Sequence, residues 1–201
     1  MTVKSRKLEQ SLATRAALIK TARKLFARLG YADTDIETVA RRTRVTRGAL
    51  YHHFKDKQDL FSAVFDLEEQ TLTQTVADAA VGHTSAWDGM LAGCNAFLDA
   101  CLDPSVQRIV LIDALAVLGW ARWREIDAKH NLRLVTAALQ AAMDQGVIAR
   151  GPVDSLAYLL MGAITEGAIF IAHAADKPEA RREVGENVAH LLSGLRIDKQ
   201  G

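Results

Sequence analysis

Cysteine is almost absent: the 201 residues hold two, Cys94 and Cys101. They lie on one predicted helix, about 10 Å apart along its axis at 1.5 Å per residue, too far for an intrahelical disulfide. A disulfide scaffold is excluded, the thiols read as apolar filler, and a cytoplasmic location is the default expectation. No uninterrupted apolar run reaches the roughly 18 residues of a membrane span. The opening MTVKSRKLEQ is basic but lacks the apolar stretch of a secretory signal, and reads as a mobile arm suited to a minor groove. The chain has no GxSxG elbow, HExxH, Walker loop or GxGxxG after a strand, so an enzyme is unsupported. Its six histidines are scattered and its cysteines lack CxxC spacing, so no metal or cofactor is expected. A spatial His–Cys nucleophilic pair has no support in the sequence.

Proline is also scarce, with three in the chain, and no alternating β pattern persists. The expected fold is all-α, with about nine helices near 12–29, 35–42, 46–53, 58–80, 85–101, 105–118, 122–145, 153–174 and 178–195. The predicted breaks fall at Gly30, Gly82, Asp103-Pro104, Gly119, Gly146, Gly151-Pro152 and Lys177-Pro178.

Most informative is the stretch 34–57, TDIETVARRTRVTRGALYHHFKDK. Ile36, Val39 and Ala40 recur at helical spacing, and Thr34 with Glu37 fits a capping box. Val45 is the apolar residue of a turn. Thr46 suits the cap of a second helix in which Leu50 and Phe54 point inward, four apart. The opposite side carries Gly48 and His52, flanked by Tyr51, Ala49 and His53, with Arg47 in the first turn. A major groove about 12 Å wide admits a helix with a small leading face, which Gly48 and Ala49 supply. His52 and Arg47 are placed to reach base edges; Tyr51, Thr46, His53 and Lys57 are placed to bond phosphates. Residue by residue, an ordinary helical hairpin would explain as much. The agreement of spacing, cap, turn and polar outer face along the whole stretch favours DNA.

Charge supports this independently. Residues 1–60 hold 14 Lys or Arg against 6 Asp or Glu, a net of +8; residues 61–201 hold 11 against 18, a net of −7. A basic head on an acidic body is the footprint of a polyanion-binding module. A DNA-packing protein would be basic throughout and would not need the large acidic, apolar body.

The stretch resembles the DNA-binding domain of the tetracycline-repressor (TetR) family of bacterial transcription regulators. The residues that carry the likeness are Ala22, Leu25, Phe26, Gly30-Tyr31, Ile36, Val39-Ala40, the run from Val45 to Phe54, Lys57 and Leu60-Phe61. Where the family usually has Gly in the turn, this chain has Arg44, which is less comfortable at positive φ but adds a cation near DNA. The resemblance implies a DNA-binding head over 1–57, with Thr34 and Arg44 among its DNA contacts, and an effector-binding, dimerising body over 58–201. It implies a homodimer on an inverted-repeat operator of double-stranded DNA, usually a repressor, released by a small-molecule effector.

In the family the last two long helices pair across subunits. Here that places Leu156, Leu159, Gly162, Ala163, Gly167, Phe170, Val188, Leu191 and Leu195 at the dimer interface. The small residues of the apolar segment 156–172 favour close packing. The body of the family also encloses an effector pocket. Trp120 and Trp123 at a helix break, with Phe97, Ile109, Ile112, Leu115, Tyr158, Met161 and Phe170, are its expected apolar walls. Asp113, Asp127, His130 and Glu166 are candidate polar members.

Overall fold

The computed structural model describes residues 3–197, with side chains from Ser5 onward. The described residues contain no strand; a single antiparallel bridge joins Ile148 to Arg196. The helices are α1 (Val3–Leu29), α2 (Ile36–Thr43), α3 (Arg47–His53), α4 (Lys57–Ala80), α5 (Ala86–Ala100), α6 (Pro104–Val106), α7 (Ala114–Asp127), α8 (Arg133–Asp144), α9 (Val153–His173) and α10 (Lys177–Ser193). π-helical segments Gln107–Asp113 and Ala128–Leu132 join α6 to α7 and α7 to α8. The all-α expectation and the helix order hold.

Three local expectations are corrected. The stretch read as a mobile basic arm is helical from Val3, because α1 extends well before residue 12. Leu8 and Leu12 on this extension stay exposed. Met1 and Thr2 lie outside the described residues. The cap of α2 is Asp35, not Thr34: the Asp35 carboxylate accepts from the backbone N–H groups of Glu37 and Thr38. Those bonds, the Glu37 one foremost, hold its pKa below the usual carboxylate range. Finally, the helical run is locally under-wound into wider π turns at Gln107–Asp113 and Ala128–Leu132, which periodicity does not reveal.

The head is closed by apolar residues on one face of each helix. Leu18, Ala22, Leu25 and Phe26 of α1 meet Val39 and Ala40 of α2, Leu50 of α3 and Phe54. The start of α4 completes this core through Leu60, Phe61, Val64 and Phe65, all fully buried. Phe61 packs edge-on against both Phe26 and Tyr31, with ring centroids 5.1 and 5.2 Å apart, an arrangement that adds to the area it buries.

In the body, α4 packs along α5, and α5, α8, α9 and α10 surround the remaining core. Gly93 of α5 lies so close to Val76 of α4 that a methyl group there would press on it. Cys94 and Cys101 are both buried and unpaired, and burial pushes their thiols up to about 11 and about 12, as filler thiols behave. The inner face of α9 is Ala157, Met161, Ile164, Ala168 and Ile171. By length and composition both α9 and the helical run 104–144 are apolar enough to cross a membrane, although no single run predicted it. In α9 the excess apolarity sits on an outer face, where Leu159 and Phe170 are exposed.

Head and body are stitched together around the start of α4. The Asp113 carboxylate accepts from the Tyr31 backbone N–H at 2.8 Å and from Arg108 at 3.2 Å. Gly30, at a φ of +77° that strains any side chain, lies against the Arg108 guanidinium, which a side chain there would displace. The Gln58 amide donates to the Val117 carbonyl at 2.5 Å, and Arg122 donates to the Ser62 hydroxyl at 3.1 Å. Arg23 of α1 is paired with the buried Glu68 of α4.

Candidate nucleic-acid interface and body cavity

The turn between α2 and α3 is made by Arg44 at φ 61°, ψ 37°. Its N–H bonds the Arg41 carbonyl and the Val45 N–H bonds the Ala40 carbonyl, both at 3.1 Å. This is a Schellman-type stop with Arg in the left-handed position that glycine usually takes. The expected turn therefore forms with its usual shape, and Arg44 is exposed at its tip.

Thr46 then starts α3, its hydroxyl accepting from the Ala49 N–H at 3.1 Å. Leu50 and Phe54 are buried, which turns Arg47, Gly48, Tyr51 and His52 to the surface together. Space beyond Gly48 is open, with only the Thr46 hydroxyl at 4.0 Å from a built methyl position. Arg47 is braced in place: it pairs with Glu37 at 2.7 Å and lies 5.5 Å over the Tyr51 ring. His53 is half-buried behind His52. Its pKa is lowered by burial first, then by the neighbouring His52 and Arg15, so it stays neutral near pH 7 and able to accept as well as donate.

Two expected contacts are placed differently. Thr34 is 1% exposed and its hydroxyl donates to the Gly30 carbonyl at 2.7 Å, so it ties α2 to α1 and faces no groove. Lys57 donates to the Ala32 carbonyl at 3.0 Å and stands 4.4 Å over the Tyr31 ring, bracing the head with its remaining donors free to turn outward.

The body holds an open-sided cavity of about 110 Å³ between α4, α5, the 128–132 segment, α8 and α9, room for a small molecule rather than one or two waters. Of the expected pocket residues, Phe97, Met161 and Asp127 line it. The others are corrected. Trp120, Tyr158, Phe170, Ile112 and Leu115 are exposed on the outside of the body, and Glu166 is exposed as well. Ile109 is fully buried in the core, Asp113 holds Tyr31, and His130 pairs with Asp66 at 2.9 Å. Trp123 is partly buried, and with Trp120 and Tyr158 it surrounds the Arg124 guanidinium at 4.7 to 5.3 Å. Through Arg124, bonded to Asp127 at 2.8 Å, this outer cluster touches the cavity wall without entering it.

Sequence reasoning missed Asn131 and Thr165, which are polar lining residues, and Met90, Gly93 and Cys94, which form one stripe of α5 with the expected Phe97. That stripe has helical spacing and small residues, a legible signal. Asn131 sits on a π turn, where the 3.6 period no longer tells which way a side chain points.

On the outer face of α9 and α10, Leu159, Phe170 and Leu191 are 72%, 56% and 67% exposed. Gly162 and Ala163 are exposed beside them, and Leu156, Gly167 and Leu195 are partly so. Val188 is buried, and Gly167 already packs against Val184 of α10, so these two serve the contact between α9 and α10 within the subunit.

A basic helix-turn-helix head carried on an acidic helical body is a DNA-binding transcription regulator. Residues 18–64 match the bacterial regulatory proteins of the tetR family, and residues 87–195 match the tetracyclin repressor-like C-terminal domain. The chain is 34% identical to a TetR-family transcriptional regulator from Pectobacterium atrosepticum of known structure, with a TM-score of 0.84 covering 94% of this chain and 97% of that one. It is 25% identical to the transposon Tn10 TetC protein of Escherichia coli over 92% of each chain. It is also 41% identical to the transcriptional regulator AcrR of Shigella flexneri, over 32% of this chain and 30% of that one. The chain belongs to the TetR family of transcription regulators.

Proposed function

We propose that this protein is a repressor that binds an inverted-repeat operator as a homodimer and leaves it when a small molecule fills the body cavity. The observation that carries the reading is the outer face of α3, where Arg47, Gly48, Tyr51 and His52 are exposed together on a helix anchored by Leu50 and Phe54. Arg47 and His52 read bases. Thr46, Tyr51, His53, Lys57 and Arg44 seat the helix on the phosphates, with Gly48 and Ala49 permitting close approach. The DNA-binding unit is residues 1–57 and the effector and dimer unit is 58–201, with α4 shared between them.

The exposed apolar face of Leu159, Phe170 and Leu191 is the surface on which a second copy docks. Large apolar residues clustered at the surface mark an interface. Two-fold symmetry then sets two α3 helices about 34–36 Å apart, or a multiple of that spacing. The cavity is walled by Val76 and Ala80 of α4, the helix whose start is bonded into the head. A ligand that prefers one tilt of α4 therefore shifts the spacing of the two heads. A coupling of about 1–3 kcal/mol weakens operator binding about 5–150-fold, and operator DNA weakens ligand binding equally. A location in the bacterial cytoplasm follows from this role.

The decisive experiment is selection of genomic DNA fragments on the purified protein, followed by light scattering of the free and bound forms. Recovery of fragments sharing a palindrome, bound by an even number of subunits, is the expected result. Equal retention of all DNA, or a monomer in both states at micromolar concentration, would remove the reading.

A further inference from the structure

The polar end of the cavity has a carboxyl without a cationic partner behind it. Four carboxylates are gathered around Asn131 and the neighbouring turns. Asp66 has Lys129 at 2.7 Å and His130 at 2.9 Å, Glu68 has Arg23, and Asp127 has Arg124. Glu69 makes no ion pair among the described residues, although it is 4% exposed. Its Oε2 accepts one bond from the Asn131 amide at 2.5 Å, and its Oε1 accepts none among the described residues. The same Asn131 nitrogen also donates to Asp127 at 3.1 Å. Asn131 and Asp127 both line the cavity, so the unbalanced carboxyl stands one hydrogen bond behind the wall.

Apart from the Thr165 hydroxyl, the rest of the lining is apolar: Met90, Phe97, Leu134, Met161 and Ile164 among others. A cavity with apolar walls and one acidic end selects by charge as well as by shape. A carboxylate ligand would bring a third negative group to that end and be rejected. A cation would find Asp127 within reach and favour loss of the Glu69 proton by supplying the counter-charge its carboxylate lacks, since buried charges persist where they are paired.

We propose that the cavity binds a small lipophilic cation of the alkylammonium class, its tail against Met90, Phe97 and Met161 and its positive head at the Asp127–Asn131 end, compensating Glu69. This deepens the effector reading and rests on the cavity being the effector site. Burial, then Asp127, raise the Glu69 pKa to about 8, as expected of a carboxyl that has lost water without gaining a cation. The protein itself shows that a cation is accommodated next to this end: the Arg124 guanidinium sits among Trp120, Trp123 and Tyr158 while bonded to Asp127.

The test uses the full-length protein without DNA and three probes with one tail: octylammonium, 1-octanol and octanoate, titrated calorimetrically at pH 7.5. Octylammonium should bind at least about tenfold more tightly than octanol, a charge-assisted contact being roughly twice as strong as a neutral one, and octanoate should bind weakest. Glu69→Gln should bring octylammonium down to the affinity of octanol while leaving octanol unchanged, which also shows that the cavity is intact. Asp127→Asn, read the same way, provides a second variant should the first unfold. Octanol or octanoate binding as well as the amine, no probe binding at all, or a preference untouched by both variants would overturn the proposal. A separate titration with operator DNA tests the effector reading alone: selective amine binding without any loss of DNA affinity would remove that reading and leave the cation site standing.

Discussion

The head and the body of this regulator use their side chains in opposite directions. In the head, the apolar residues are spent on one small core, and the proposed DNA contacts are what that core turns outward: Arg47, Tyr51 and His52 opposite Leu50 and Phe54. In the body, the groups with chemical potential face inward, around a cavity, while bulky apolar residues such as Leu159 and Leu191 face out. The head is a surface on a finished core. The body leaves a cavity among its helices and an apolar flank, the two places where the proposed effector and second subunit would bind. Such a contrast accounts for where sequence periodicity succeeds: it reports which side of a helix is inside, and that suffices when function is on the other side.

The largest expected effect tests the claim that the head is a finished core. Phe61 touches Phe26 and Tyr31 and is fully buried, so Phe61→Ala should cost about 3–5 kcal/mol. Urea unfolding followed by circular dichroism measures it, and a loss below about 1 kcal/mol would show that α4 is not part of that core.

The body should be distinguished by its response to pH. The Glu69 pKa is about 8 in the folded protein against an ordinary value near 4.5. The folded state therefore holds a proton that the unfolded state releases between these values, and stability falls as pH rises from about 4.5 to 8. Asp127, Glu68 and Asp66 add repulsion in the same direction, opposed by the Asn131 bond. Glu69→Gln should flatten that decline, so that the variant gains on the wild type with rising pH. Parallel unfolding curves for the two proteins at pH 5 and pH 8.5 would contradict it.

Leu159→Asp should weaken self-association by about 2–4 kcal/mol, the range of central interface residues. The exposed Leu159 can be changed without disturbing the subunit, so sedimentation should show monomers with an unchanged helical spectrum. A variant that remains dimeric would move the interface elsewhere.

Smaller, and confined to the head, are the DNA contacts. His52→Ala and Arg47→Ala should each cost about 1–3 kcal/mol on the best operator and flatten the ranking of operator variants. Tyr51→Phe and Lys57→Ala should weaken all sequences alike, and Lys57→Ala should lower the salt slope by about one if its spare donors reach a phosphate. An unchanged ranking after His52→Ala would mean that another face of α3 enters the groove.

The smallest effect belongs to the turn. Arg44→Gly should stabilise the head by a few tenths of a kcal/mol up to about 1, because Gly carries no penalty at φ 61°. It should also lose any phosphate contact that Arg44 makes. Thermal melting and the salt dependence of DNA binding separate the two consequences.

The sequence by itself determined the helices, the order of the breaks, the basic head and the outward face of α3, since each depends on contacts a few residues apart or on composition. It also carried the Arg44 turn, because a helix stop is local. What the tertiary structure alone decided lies where local rules compete with distant partners. Thr34 has the right chemistry for a cap, but burial against Gly30 gave that role to Asp35. Trp120 and Trp123 are apolar and flank a break, yet past Gly119, at φ 71° and ψ 162°, they gather around Arg124, Trp120 exposed and Trp123 half-buried, and neither lines the cavity. Asn131 reaches Glu69 and Asp127 across more than sixty and only four positions respectively, on a π turn that shifts the helical phase. A cavity and its charge balance are sums over several helices, and no single helix carries that sum in its spacing.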